Sequence, residues 1–314
     1  MNIIVHGSVA FDRIMDFPGS FKDHILPDKI HKLNVVFPIK RLDEKRGGTA
    51  GNIAYNLALL AEKPTIVAGV GKDGASYVEY LQNLGLSTEH IIQYEDSHTP
   101  CAFIMTDISN NQIAGFFGGA TERPTNFSFA GHDPKESLVI LSPANNREDT
   151  LRYAAECKQY GIPYIFDPGQ TIPIFSGEDL RTLIDGSFMF TVNDYELQLV
   201  MNVTKLSEEE ILSMTEILIT TLGENGSIIK TAKKVFTIPR CQATEVKDPT
   251  GAGDAYRAGL MKAYLLGLST EQMGRIATTC AVYAIEHHGT QEHQYSMDEF
   301  RKRYQENYEE TCPL

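Results

Sequence analysis

From residue 137 onward, short continuous apolar runs alternate with stretches of helical spacing. Strands are predicted at 138–141, 164–166, 188–192 and 217–221, with helices at 147–160 and 177–184. Runs that are apolar on both sides of the pleat suit a parallel sheet covered by helices on both faces. A strand pair follows at 227–231 and 235–238, and then a long helix to about residue 266 with Gly267 as its stop. Ser176 and Ser207 precede acidic residues and read as helix N-caps, while Ser269 with Gln272 and Ser296 with Glu299 read as capping boxes.

The first part of the chain is less regular. Residues 2–9 form an Ile- and Val-rich run that breaks at Gly7-Ser8, a buried strand ending in a loop, with Asp12 just beyond it. Residues 16–42 carry Pro18, Pro27 and Pro38 and only a short apolar segment at 35–39, so they read as an excursion from the main body. Arg46-Gly47-Gly48-Thr49-Ala50-Gly51-Asn52 opens a helix in which Ala54, Leu57, Ala58 and Ala61 recur at helical spacing. A strand at 65–68 leads into Gly69-Val70-Gly71-Lys72-Asp73-Gly74 and a helix through Tyr77, Tyr80 and Leu81. Residues 99–117, centred on Ser109-Asn110-Asn111, read as a β-hairpin that would complete a small sheet with the irregular segment before Gly47.

Composition narrows the class. A chain of 314 residues with 42% hydrophobic and 22% charged residues can bury a large globular core. No apolar run approaches membrane-spanning length, and the first residues lack a signal-peptide pattern. The five cysteines, Cys101, Cys157, Cys241, Cys280 and Cys312, are scattered without a CxxC pair; neither disulfides nor zinc are expected, and a reducing cytoplasm is. A net charge of -13 argues against nucleic acid or an anionic membrane as partner. It leaves room for a phosphate ligand, because local donors outweigh charges screened beyond about 8 Å.

The candidate chemistry centres on Asp248-Pro249-Thr250-Gly251-Ala252-Gly253-Asp254. Two glycines before a helix let the amides of Gly251, Ala252 and Gly253 converge on one spot, a small anion-binding hole. Asp254 then stands on the first turn as a base beside a group that becomes negative, as when a hydroxyl attacks a phosphoryl group; the plain alternative is an N-capping Asp. Asn193 and Glu196, three apart at a helix start, either hold a hydrated Mg²⁺ or cap the helix. Phe103 and Phe117 either stack on a flat base or pack on one another. His287, His288 and His293 are expected in a loop without metal, and the chain lacks GxxxxGK[ST], HExxH and GxSxG. The Gly69–Gly74 hexamer fits a dinucleotide fingerprint with Glu95 and Asp96 downstream, the basis of a rival NAD-dependent oxidoreductase, which leaves Gly47–Asn52 and Asp248–Asp254 without a role.

Gly47-Gly48 with Gly51-Asn52, Asn193-x-x-Glu196, Thr221-Leu222-Gly223 and DPTGAGDAYRAGL from Asp248 stand in the order and spacing of the ribokinase-like, PfkB-type sugar and nucleoside kinases, and the chain resembles them over its whole length. Within that family it is most similar to the bacterial type of adenosine kinase, through Gly7–Asp12, Phe17-Pro18-Gly19, Leu26-Pro27, Ile30-His31-Lys32, Arg46–Asn52 and Gly289-Thr290-Gln291-Glu292.

The resemblance implies a three-layer α/β/α domain with a mostly parallel sheet (1–10, 47–98 and 118–314) and a small β lid (11–46 and 99–117) through which relatives also dimerise. It implies ATP-dependent phosphorylation of the adenosine 5′-hydroxyl with Asp254 as base and Gly251, Ala252 and Gly253 as anion hole. Ser8, Asp12, Gly48 and Asn52 would hold the ribose, while Phe103, Phe117 and Gln170 would line the base pocket. Asn193 and Glu196 would organise Mg²⁺ and phosphates, with Thr221, Gly223 and Gly226 along the ATP, and backbone near Asp248 and Thr250 would serve a monovalent cation such as K⁺. Tyr256 stands where Phe is usual, and Gln170 beside Thr171 where paired glutamines are, so ribose or fructose, or another nucleoside, stays open as acceptor.

Overall fold

The computed structural model describes residues 1–25, 34–109 and 111–314; Leu26-Pro27, Ile30-His31-Lys32 and Asn110 lie outside them. β1 (Asn2–His6), β2 (Ala10–Asp16), β3 (Arg41–Gly47), α1 (Thr49–Leu59), β4 (Thr65–Gly71), α2 (Ala75–Asn83), β5 (Ile91–Tyr94), β6 (Cys101–Thr106) and β7 (Gln112–Phe117) make up the first part. β8 (Ser137–Leu141), α3 (Arg147–Tyr160), β9 (Tyr164–Phe166), α4 (Gly177–Ile184), β10 (Met189–Asn193), α5 (Asp194–Thr204), α6 (Glu208–Met214) and β11 (Ile217–Thr221) alternate next. β12 (Ser227–Thr231), β13 (Val235–Ile238), α7 (Ala252–Leu265), α8 (Thr270–Ile285) and α9 (Met297–Tyr308) follow.

Nine strands form one sheet in the order β13-β12-β11-β10-β9-β8-β1-β4-β5, parallel except for the antiparallel pairings of β12 and β13 at one edge. Period-2 alternation divides its side chains between two cores. Ile3, Val5, Ile66, Ala68, Leu138 and Ile140 face the helices α1, α2, α7, α8 and α9, whereas Ile4, Val67, Val139, Leu141, Phe166 and Phe190 face α3, α4, α5 and α6. Both faces are therefore dry, which is why these strands lack polar alternation. The resulting three-layer α/β/α arrangement is the one the resemblance implies. The capping boxes at Ser269 and Ser296 form as the sequence predicts, and the predicted N-caps Ser176 and Ser207 also form full boxes, with Asp179 and Glu210.

A second sheet, β3-β2-β6-β7, draws on both segments set apart in the sequence. Two of its strands differ from expectation. Asp12 lies inside β2 rather than in a loop after β1, and β3 replaces the end of the irregular excursion. Neither shows an apolar alternation, because beyond the buried Ala10, Phe11 and Gly47 at the root of the sheet their side chains are only partly buried or exposed.

The Gly69–Gly74 hexamer also differs. β4 runs on through Gly71, and the next helix begins only at Ala75. A Cβ on Gly71 would come within 2.1 Å of the His98 carbonyl carbon and 2.3 Å of the Thr99 nitrogen, and one on Gly69 within 2.5 Å of the Ala120 oxygen. Gly69 and Gly71 serve close backbone packing inside a strand, and the turn into the helix comes only at Lys72-Asp73, so the first two glycines of the fingerprint do not form the phosphate-binding turn that the oxidoreductase reading needs. Gly71→Ala should cost about 1–3 kcal/mol of stability, as overpacking does. Gly115→Ala in β7, where a Cβ meets nothing within 4 Å, should stay within about 0.5 kcal/mol; urea denaturation of both variants measures the difference.

Candidate active site

The start of α7 sets the geometry. Gly251 adopts φ 80°, the left-handed conformation that admits glycine readily, and a Cβ there would meet Thr290 Cβ at 2.9 Å. Asp248 fixes the approach to the helix: its carboxylate accepts from the Thr250 N–H at 2.9 Å and the Gly289 N–H at 3.1 Å. Of the three amides expected in the anion hole, that of Ala252 donates to Pro249 O at 3.3 Å, whereas those of Gly251 and Gly253 have no backbone acceptor among the described residues. The helix N-terminus thus presents two free donors beside Asp254.

Asp254 is largely buried on the first turn. Asn52, from α1, donates through Nδ2 to Asp254 Oδ2 at 2.8 Å. Burial pushes the Asp254 carboxyl up to about 6, while Arg257 and the Asn52 bond pull it down and Glu196 pushes it further up. On β2, Asp12 is likewise raised to about 6, first by burial and then by Asp248 and Asp254, so the three carboxylates share one cleft. Gly47 leaves room for Asp12: a Cβ would lie 2.5 Å from Asp12 Oδ2.

Arg257, one turn after Asp254, is buried and pairs with Asp167 just past β9, its Nη2 donating to Oδ1 at 2.8 Å. Its Nη1 lies where a Cβ on Gly253 would come within 2.5 Å. The guanidinium therefore places positive charge behind the expected anion hole.

Ser8 and Gly48 shape the cleft from the backbone. Gly48 has φ 84°, and a Cβ there would overlap Ser8 O and Ala10 N, each at 2.6 Å. Ser8 Oγ accepts from the Thr49 N–H at 3.0 Å, so its hydroxyl caps the start of α1. Asn193 and Glu196 likewise satisfy one another in a reciprocal capping box, at 2.7 and 2.8 Å. The β10–β11 register sets Thr221 beside Asn193. Gly223 is left-handed, with open space where a Cβ would stand, whereas Gly226 packs against β13, where a Cβ would meet Ile238 O at 2.1 Å. Gln170 is exposed on the turn after Asp167. The Tyr256 hydroxyl bonds Ser227 Oγ at 2.7 Å inside the core.

The aromatic candidates divide differently from expectation. Asp12 pairs with Ala102 and Lys45, and Ala102 pairs with Phe116; these residues share the cleft face, where Lys45 Nζ reaches Glu292 at 3.1 Å. Phe103 pairs with Arg13 and Phe117 with Cys101, on the opposite face, and the Arg13 guanidinium lies 5.5 Å from the Phe103 ring. The register thus turns Phe103 and Phe117 away from Asp12 and puts Phe116 on its side. Sequence reasoning gave no role to Arg257, Asp167, Thr290, Gln291 or Lys45. Only Arg257 carried a local signal, its place one helical turn after Asp254. Of the histidines, buried His293 bonds Asn56 Oδ1 at 2.8 Å, and among the described residues no three His, Cys, Asp or Glu side chains gather to hold a metal.

Residues 9–296 match the pfkB family of carbohydrate kinases. The chain belongs to that family. As a pfkB-family protein it is a phosphotransferase with a hydroxyl acceptor, which suits a base beside an anion hole. A nucleoside kinase of Methanocaldococcus jannaschii is 31% identical over 89% of this chain and 92% of its own length. The solved structure of a Burkholderia thailandensis nucleoside kinase in complex with inosine has TM-score 0.87 at 35% identity, covering 98% of this chain and 99% of that one. The ribokinase of Arabidopsis thaliana, complexed with ribose and ATP, shares the fold at TM-score 0.80 and 20% identity. Among the described residues, no helix is long and apolar enough to cross a membrane.

Arg257→Leu leaves the buried Asp167 carboxylate alone and should cost about 3–5 kcal/mol. Adding Asp167→Leu should restore part of that loss, so additive losses in denaturant titrations of the single and double variants would contradict the pairing.

Proposed function

We propose that this kinase transfers the γ-phosphoryl group of ATP to the 5′-hydroxyl of a nucleoside, with adenosine as first choice. The observation that carries the reading is Asp254, a largely buried carboxylate at a helix N-terminus with free amides, facing Asp12 across a cleft. In the transfer, Asp254 takes the hydroxyl proton, the O–Pγ bond forms, the bond from Pγ to the β-phosphate oxygen breaks, and ADP leaves. The Gly251 and Gly253 amides, backed by Arg257, offset charge on the transferring group. Asp12 accepts from ribose hydroxyls, with Gly48 and Asn52 beside it. Phe116, on the same face, supports the base by stacking, and Gln170 contacts the base edge. The Burkholderia kinase holds inosine, which supports a nucleoside acceptor and makes inosine the nearest competitor.

ATP runs from the anion hole past Asn193 and Thr221 to Gly223. Mg²⁺ commonly keeps waters and substrate phosphates as most of its ligands, and one free oxygen on Glu196 fits that use through water; bound there, it would neutralise phosphate charge. Both Asp248 oxygens accept backbone amides, so a K⁺ site would draw on carbonyls near Asp248 and Thr250. The four-stranded sheet acts as the lid. Its edge strand β7 exposes Ile113, Phe116 and Phe117, an apolar edge suited to a homodimer.

Asp254→Asn should lower kcat about 100- to 10,000-fold with little change in KM; near-normal turnover refutes the base. Because Asp254 is raised to about 6 and works only when ionised, kcat should fall about tenfold per pH unit below that value. A phosphorylation panel of adenosine, inosine, cytidine, ribose and fructose identifies the acceptor, and failure of adenosine alone removes the first choice.

A further inference from the structure

A network of buried polar side chains ties Asp254 to the root of the small sheet. Asn52 presents Nδ2 to Asp254, and its Oδ1 accepts from Thr290 Oγ1 at 2.7 Å and Gln291 Nε2 at 2.9 Å. Two donors on one oxygen decide which way the amide faces: a flipped Asn52 would set its oxygen against the carboxylate and its protons against two donors. The network continues outward. Gln291 Nε2 also reaches the Tyr77 hydroxyl, which donates to Gly47 O at 2.8 Å, and Thr290 Oγ1 lies 3.0 Å from Arg46 O. Arg46 and Gly47 are the last residues of β3.

Gln291 shows that this arrangement is not simply the best way to fill the space. Its Oε1 is buried without a partner, a destabilising condition, while both Nε2 protons are directed at Asn52 and Tyr77. Flipping its amide would give Oε1 no donor either, since the Tyr77 proton goes to Gly47 O and Asn52 offers only Oδ1. Thr290 has a single hydroxyl proton for two acceptors, Arg46 O and Asn52 Oδ1. When Arg46 is in place, Gln291 is the donor that Asn52 does not share with the sheet.

We propose that Gln291, supported by Tyr77 and Thr290, is a positioning residue that fixes the Asn52 amide against the catalytic base and links that orientation to the seating of the small sheet at Arg46–Gly47. The inference rests on Asp254 as the base. Charged groups also face that carboxylate: Arg257 from α7, Glu196 from α5, Asp12 from β2 and Asp248 from the preceding loop. None of them contacts Gln291 in the network, so replacing Gln291 leaves their arrangement in place. Without it, Asn52 is free to turn, Asp254 loses its side-chain donor, and its proton is held more tightly.

The test compares Gln291→Met, which keeps volume and removes the donors, with Tyr77→Phe, which removes the anchor of Gln291. Both are measured in the whole enzyme against the acceptor found by the panel, with thermal unfolding as the check on folding. Gln291→Met should lower kcat about tenfold and move the acid limb of the kcat profile up by about one pH unit, the scale of one charge-assisted bond, with KM for ATP unchanged. Tyr77→Phe should move both in the same direction by less. A merely structural role would lower stability and leave the limb where it is. A folded Gln291→Met with wild-type kcat and limb overturns the proposal, and if that variant does not fold, an unmoved limb in Tyr77→Phe does so. Asp254→Asn run alongside separates the two readings: if it is inactive while the limb stays put, only the positioning role falls, whereas if it is active the base itself falls.

Discussion

Asp254, the proposed base, is held at the start of α7, where burial opposes the ionisation that role requires. Raising Asp254 from its ordinary 3.8 to about 6 corresponds to about 3 kcal/mol at most against the charged form. Against it stand one proton from Asn52, the helix N-terminus and the nearby Arg257, itself paired with Asp167. Asp12 is under the same pressure from burial and from the other two carboxylates. For groups whose folded pKa is raised, the stabilising contribution is complete below the unfolded value and is lost as pH rises through about 6. At neutral pH these two carboxylates therefore oppose folding, and the two cores on either side of the sheet must outweigh them.

The sheet explains how distant segments meet. Ser8 follows β1, Asp167 follows β9, Asn193 ends β10 and Thr221 ends β11, so the carboxyl ends of four parallel strands deliver their residues to one edge. Helices α1 and α7 then bring Asn52 and Asp254 together, two residues 202 positions apart in the chain. The small sheet closes the cleft from β2 and β3, which are anchored where Ala10 pairs with Gly47.

The parallel core was legible because burial on both faces writes itself as continuous apolar runs, and the capping boxes because they depend on residues three apart. Asp254 and the left-handed Gly251 were legible for the same local reason. What could not be read was set by pairing. β2 and β3 exchange hydrogen bonds with each other and bury little, so no hydrophobic period marks them. The facing of Phe116, as against Phe103 and Phe117, depends on register between strands, and a shift of one residue reverses it. The capping box of Asn193 and Glu196 was present in the sequence as the plainer of two readings, and the geometry favours it without removing a water-mediated part for the free Glu196 oxygen. Thr290 and Gln291 were visible only as part of a familial string, since their partners Asn52, Tyr77 and Arg46 lie more than 200 residues away.

The division of work follows from which parts are rigid. Gly251, Asp248 and Asp254 are fixed by the backbone around α7; in the proposed reaction they serve the transferring phosphoryl group without reference to what accepts it. The proposed acceptor face belongs to a sheet whose edge strand β7 is exposed along its length, while Ala10, Phe11, Gly47 and Cys101 at its root are buried. On the proposed reading, a sheet whose strands are buried only there would accommodate acceptors of different shape while Asp254 stays where it is. Unless its position were reported to the base, however, phosphoryl transfer to water would compete in the open cleft. The shared donors of Thr290 and Gln291 lie where such a report would pass, between Arg46–Gly47 and Asn52.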